Sequence, residues 1–286
     1  MNATVFRRCL LCIVVFLGTV AAAAEPDAGR VEELLRKSGI WAHAGMLQAQ
    51  VKAGAEQARR QGASEGRRPR LSDAEFERLI AAMSTAFAPE RVRTGIAHQM
   101  AHALSADDVD EVLAWLSGDL GVRVAALEER CDRIEHIQLM REGRELLDAM
   151  PASRLALVNR LLELLHAEDA AFDTASNMMN AVVYGFTAMT PEADLDGAVE
   201  AMRRSTEAQR PLLVAYFHEL LRARLAVAYK DLSEDELARY VAFNETTAAR
   251  HYNAASLKVV GDVVVQASLD LGRQLGRELA RKPRTL

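Results

Sequence analysis

Val259-Val260-Gly261-Asp262-Val263-Val264-Val265 is the stretch on which the fold class turns. Five of its seven residues are β-branched, which is the composition of a strand. The wider spacing decides otherwise. Leu257, Val260, Val264, Ala267, Leu271, Leu275 and Leu279 keep a three-and-four rhythm over about six turns, which is one side of a helix and no single face of a strand. The segment is therefore predicted helical, and with it the whole chain becomes all-α.

Outward from this stretch the same rhythm recurs. Ser233 and Glu236 form a capping box before it, and Pro211 opens an apolar run through Leu213, Phe217, Leu220 and Leu225. Thr190-Pro191 reads as an N-cap followed by a proline in the first helical position. Pro151 and Ser153 start a segment with Leu155, Val158, Leu161, Leu162 and Leu165 inward. A long helix is expected from Asp119 to Met150. Ser105 with Asp108 and Ser72 with Glu75 are two further capping boxes, and Pro89 opens a helix running to Leu104. Gln61 to Arg70, with Gly62, Gly66 and Pro69, is expected to be a loop. Val31, Leu34 and Leu35 begin the pattern, and Ile40, Ala44, Leu47 and Val51 carry it on.

The N-terminus has the three parts of a secretory signal: Arg7-Arg8, the apolar Cys9 to Val20, and small residues from Ala21 to Ala24. Cleavage is expected between Ala24 and Glu25, just before Pro26. The alternatives are an uncleaved anchor, for which an apolar run of about 16 residues is short against the roughly 20 that span a bilayer, and a twin-arginine route. Cys9 and Cys12 leave with the signal, so their spacing is no redox or metal motif. Cys131 then stands alone on a stripe with Leu120, Val124, Leu127, Ile134 and Ile137, a small core residue, with an intermolecular disulfide as the alternative. Without Arg7 and Arg8 the formal net charge moves from −5 to −7, which disfavours nucleic acid as a partner. Hydrophobic residues make up 50% of the chain but aromatics only 5%, a helical composition with no membrane span expected in the mature part.

The chain repeats at an offset of 128 residues. Leu104-Ser105-Ala106-Asp107-Asp108-Val109 aligns with Leu232-Ser233-Glu234-Asp235-Glu236-Leu237, placing Val112 on Tyr240, Trp115 on Phe243 and Gly121 on Ala249. Each copy reads as a helix ending in leucine, a capped corner, a short helix with an aromatic anchor and a long helix. Two related multi-helix units follow, 25–150 and 151–286, packed as one helical body after a signal peptide at 1–24. The pattern resembles an exported bacterial family known as domain of unknown function 2059. Leu104 to Gly121 carries the likeness in the first copy, with Trp115, Ser117 and Gly121 in place and Asp119 where proline is usual. Tyr229 to Ala249 carries it in the second, with Tyr240, Phe243 and Thr246 kept but Thr247 and Ala249 in place of proline and glycine. The resemblance implies an exported helical protein and no particular activity.

Candidate chemistry is sparse. His98 and His102 lie four apart on one helix and could hold a metal, but Gln99 stands where a zinc protease needs its glutamate base. The stripe Val92, Ile96, Met100 and Ala103 turns both histidines away from the core. His136, His166, His218 and His251 are scattered, and Asp107, Asp108, Glu234 and Glu236 are explained by capping. The arginines of 59–70 sit among acids in a solvated loop, those of 273–284 complement a helix end, and Met178 and Met179 suit either core or an apolar groove. The expected function is a non-enzymatic, periplasmic binding or protein-interaction module without a cofactor. The alternatives are a carrier of a lipid or other apolar small molecule, and a metal-dependent enzyme centred on His98 and His102.

Overall fold

The structure is a computed structural model that describes residues 26–64, 72–165, 167–187 and 195–280. Among them there are thirteen helices and no strand. The expected signal peptide with its cleavage point, the Thr190-Pro191 cap and His166 lie outside the described residues, apart from Pro26 at the start.

In chain order the helices are α1 (Ala28–Lys37), α2 (Ile40–Ser64), α3 (Asp73–Ala86), α4 (Pro89–Ala103), α5 (Ala106–Ser117), α6 (Asp119–Cys131) and α7 (His136–Asp148). They continue with α8 (Ala152–Leu165), α9 (Ala167–Thr187), α10 (Leu195–Ala208), α11 (Arg210–Ala228), α12 (Glu234–Asn244) and α13 (Thr247–Ala280). Gly39, at φ 81°, turns α1 into α2 in a conformation that disfavours a side chain.

All three capping boxes form as the sequence predicts. The Glu75, Asp108 and Glu236 amides donate to the hydroxyls of Ser72, Ser105 and Ser233 at 3.4, 3.1 and 3.2 Å. Each acid in turn accepts from the serine amide, at 3.0, 3.3 and 2.8 Å. Two free N–H groups are thereby satisfied at each helix start, a stabilisation of about 1 kcal/mol per cap.

The valine-rich stretch lies inside α13, and its packing explains its composition. Val259 and Val263 enter a core with Val31, Leu34, Ile96, Met100 and Val112, while Val264, Ala267 and Leu271 enter another with Ala82, Ala86 and Phe87. A helix buried on two sides needs compact apolar residues around much of its circumference, which a single stripe does not supply. Gly261 allows α9 to come close: a Cβ there would meet Thr174 Oγ1 at 3.1 Å.

The helix expected from Asp119 to Met150 is in fact two. α6 ends at Cys131, and the Arg133 and Ile134 amides donate to the carbonyls of Arg130 and Cys131 in a tight turn before extended Glu135. The apolar rhythm changes phase here, with buried Leu139 and Gly143 replacing the stripe; Ile137, expected on it, is 81% exposed. The break lets α7 lie directly on α11, where a Cβ on Gly143 would stand 2.5 Å from that of Ala223. A second correction is smaller. α2 continues to Ser64, through Gln61 and Gly62, because the strong helix formers ahead of Gly62 outweigh its cost of about 1 kcal/mol. Residues 65–70 of the expected loop lie outside the described residues.

The cores do not follow the chain order. One joins α1, α4 and α5 to α13; another joins α6 and α7 to α8, α11 and α12. Helices α6 and α13 thus each also reach the other half of the chain, α13 while lying along α9 of its own half and α6 while folding against α5.

Candidate functional site

The two corners meet face to face. Trp115 from α5 stacks on Phe243 from α12, ring centroids 4.0 Å apart and planes at 8°, and on Tyr240 at 5.3 Å. Trp115 and Phe243 pack against both cores, so they form the seam between them. A carboxylate–imidazole contact and an ion pair flank this seam and cross it in opposite directions. Asp108 faces His251 Nδ1 at 3.1 Å, and Arg123 donates to Glu236 at 2.5 Å. Residue 236 lies 128 beyond 108, and residue 251 lies 128 beyond 123, the offset of the sequence likeness.

Gly121 is required where it stands. A Cβ would meet the Trp115 carbonyl oxygen at 2.2 Å and Leu116 Cα at 2.8 Å, both backbone atoms of the preceding helix. Gly121 thereby sets how closely α6 folds against α5, and α6 carries Glu128 two turns further on.

Glu128 is the centre of the candidate site. Its Oε1 accepts hydrogen bonds from the hydroxyls of Tyr229 at 2.5 Å and Tyr240 at 3.0 Å. Tyr229 comes from the end of α11 and Tyr240 from α12; both are buried, at 3% and 8% exposure. Beside them Arg224 is ion-paired with Asp132. Burial pushes the Glu128 carboxyl above the ordinary range, against the opposing pull of the two hydroxyls and of Arg224. Burial and the adjacent carboxylate hold both tyrosines well above their usual value, so they remain hydrogen-bond donors. Burial also pushes Tyr252 up to about 12.

Two cavities flank this carboxyl group and share Ser38, Ala125, Glu128 and Leu165 in their walls. One, of about 280 Å³, opens towards α5, α12 and α13 and is walled by Trp115, Tyr240, Phe243 and Tyr252. The other, of about 290 Å³, lies between α2 and α11, with His43, Met46, Leu47 and Leu221 in its walls. Together they make a mostly apolar cleft with a carboxyl group at its waist.

The residues singled out from sequence fall variously. Ser105, Asp108, Ser233 and Glu236 are caps, and Trp115, Gly121, Tyr240 and Phe243 build the corner and one cleft wall. His98 and His102 are exposed, their ring centroids 4.8 Å apart, opposite buried Val92, Ile96 and Met100. Among the described residues there is no group of three or more metal-ligating side chains, at this pair or elsewhere. Cys131 is buried beneath the cleft, and burial raises its thiol. His136 shares a contact of 3.1 Å with the Tyr216 hydroxyl. Arg59 pairs with Asp73 and lies over the Phe76 ring at 4.4 Å. Met178 and Val182 pack against α13 in the third core, whereas Met179 is 48% exposed, so the two methionines do not line one groove.

Glu128 escaped the sequence reading because Glu128-Glu129-Arg130 looks like a solvated helix face. The signal available was its position one residue beyond Leu127, on the edge of the buried stripe. Compared with known proteins, the chain matches no family model, no curated protein and no solved structure. Among the described residues no helix is long and apolar enough to cross a membrane.

Proposed function

We propose that the chain is an exported, non-enzymatic binding protein whose ligand lies in the cleft around Glu128. The observation that carries this reading is a carboxyl group set into an apolar interhelical cleft and held by two buried tyrosine hydroxyls. Such a group costs folding stability that an apolar residue of similar size would not. Recognition of a ligand gives a reason for keeping it.

Export to the periplasm rests on the signal-like Arg7 to Ala24, and it agrees with the likeness of 104–121 and 229–249 to the exported domain-2059 family. The pairs Asp108–His251 and Arg123–Glu236 support an internal duplication. On that reading the cleft lies where two copies of one unit interlock. Cavities near 300 Å³ are at the small end of ligand pockets. That favours a small organic molecule over a two-chain lipid.

Native mass spectrometry of the protein from its own exported fraction tests the proposal. The expected result is a mass beginning at Glu25 with an organic adduct that Ala125→Leu removes. A chain beginning at Met1 and retained in the cytoplasm would refute export. Reproducible turnover of a substrate, abolished by Glu128→Gln, would refute the non-enzymatic reading.

A further inference from the structure

We propose that the cleft is selective for an organic cation: a small ammonium group carried on an apolar, preferably aromatic, body. The inference rests on the binding reading above and names its ligand class.

The first argument is hydrogen-bond accounting at Glu128. Both tyrosine hydroxyls donate to Oε1, and each has a single proton to give. Among the described residues no donor is directed at Oε2, although a carboxylate oxygen accepts two bonds. Oε2 is not among the buried polar atoms left without a partner, so it opens to the cleft, where a ligand with N–H donors takes the place of solvent.

The second argument is charge. Arg224, the cation packed beside Glu128, is engaged by Asp132. Glu128, Glu129 and Asp132 line the cleft, and Arg224 and His43 are the basic side chains there. The three carboxyl groups outnumber the one guanidinium, and that guanidinium is hydrogen-bonded to Asp132 rather than to Glu128. Arg224 is shared between Glu128 and Asp132, so an entering ammonium adds Coulomb attraction in a cleft where carboxyl groups are in excess. An anionic ligand meets the opposite field.

The third argument is the wall. Trp115, Tyr240, Phe243 and Tyr252 bring four aromatic side chains to the cavity on one side of Glu128. Aromatic rings attract a cation by about 0.5–2 kcal/mol each when well placed, and they bury an apolar body equally well. A carboxylate with aromatic walls selects an ammonium; apolar walls alone would select nothing by charge.

Three probes that share a phenethyl body and differ in charge test this: phenethylamine, phenethyl alcohol and hydrocinnamate, each titrated calorimetrically into the full mature chain at neutral pH. The expected order is amine, then alcohol, then acid, with the amine at least about tenfold tighter than the alcohol, which corresponds to about 1.4 kcal/mol. Glu128→Gln is expected to abolish the preference for the amine over the alcohol. Ala125→Leu, which fills the waist of the cleft without altering charge, is expected to weaken amine and alcohol alike. Equal affinity for amine and alcohol, a preference for hydrocinnamate, or no binding of any probe overturns the inference. If a native adduct sensitive to Ala125→Leu persists alongside such a result, the binding reading stands and the ligand class is wrong. If the adduct is absent as well, both fall.

Discussion

Replacing Gly121 with alanine adds one methyl group at the tightest corner of the fold. The new Cβ would lie 2.2 Å from the Trp115 carbonyl oxygen and 2.8 Å from Leu116 Cα. Both are backbone atoms, so no side chain can rotate away, and α5 and α6 must part by about 1 Å to restore ordinary contact. Overpacking of this kind costs about 2–3 kcal/mol. Exchanging glycine for alanine within a helix returns about 1 kcal/mol. The net loss is about 1–2 kcal/mol, or a drop of about 2–6 °C in melting temperature for a chain of this size. Thermal melts followed by far-ultraviolet circular dichroism measure it. The same exchange at Gly54, where a Cβ meets nothing within 4 Å, is the control and is expected to be neutral or stabilising. If Gly121→Ala melts at or above the parent while Gly54→Ala behaves as expected, the close approach of α5 and α6 is wrong. At the corresponding position of the second corner stands Ala249, fully buried, so that corner is wide enough for the methyl group.

Glu128→Gln is expected to stabilise the protein at neutral pH by about 1 kcal/mol. Burial raises the folded-state value of Glu128, so the folded chain holds this proton more tightly than the unfolded chain does. Its contribution to stability is full below the ordinary carboxylate range and is lost as pH rises through the folded value. Asp132, Arg224, Tyr229 and Tyr240 surround both side chains alike. The gain should therefore vanish towards about pH 4, and urea unfolding that shows a pH-independent difference would count against the burial of Glu128. Gly118→Ser should stabilise the start of α6 by about 0.5–1 kcal/mol. Gly118 already has an extended conformation, φ −76° and ψ 159°, and Thr246 at the second corner accepts from the Ala249 amide at 3.2 Å. A lower melting temperature instead would mean that the 3.3 Å approach of the new Cβ to Trp115 O cannot be relieved.

What was legible in the sequence is what is local. Three capping boxes, the proline that opens α4 and the rhythm of α13 all lie within a few residues of the atoms they organise. The aromatic anchors were legible as anchors, but their stacking on one another was not, because Trp115 and Phe243 are brought together by α6 and α13 each reaching the other half of the chain. The break after Cys131 was written in the apolar phase, where Ile134 is followed by Leu139 rather than by Ile137. That shift was hidden by Ile137, which is apolar yet exposed. Glu128 belongs to a cluster whose hydroxyl donors lie 101 and 112 residues further along the chain. No periodicity of one helix can announce such a meeting.

The reach of α13 into the first core also has a consequence for how the molecule is made. Arg91 of α4 pairs with Asp270 of α13, separated by 179 residues. The core around α1, α4 and α5 draws Ala248, Ala255, Val259 and Val263 from the last tenth to seventh of the chain. During synthesis from the N-terminus, the earliest helices therefore wait, with an apolar face uncovered, until the final one emerges. Such non-local closure slows folding, and it keeps the first core open until nearly the whole chain is made. A nascent chain stalled before α13 should be digested readily by protease in α1 to α5, and release of the full chain should confer protection there.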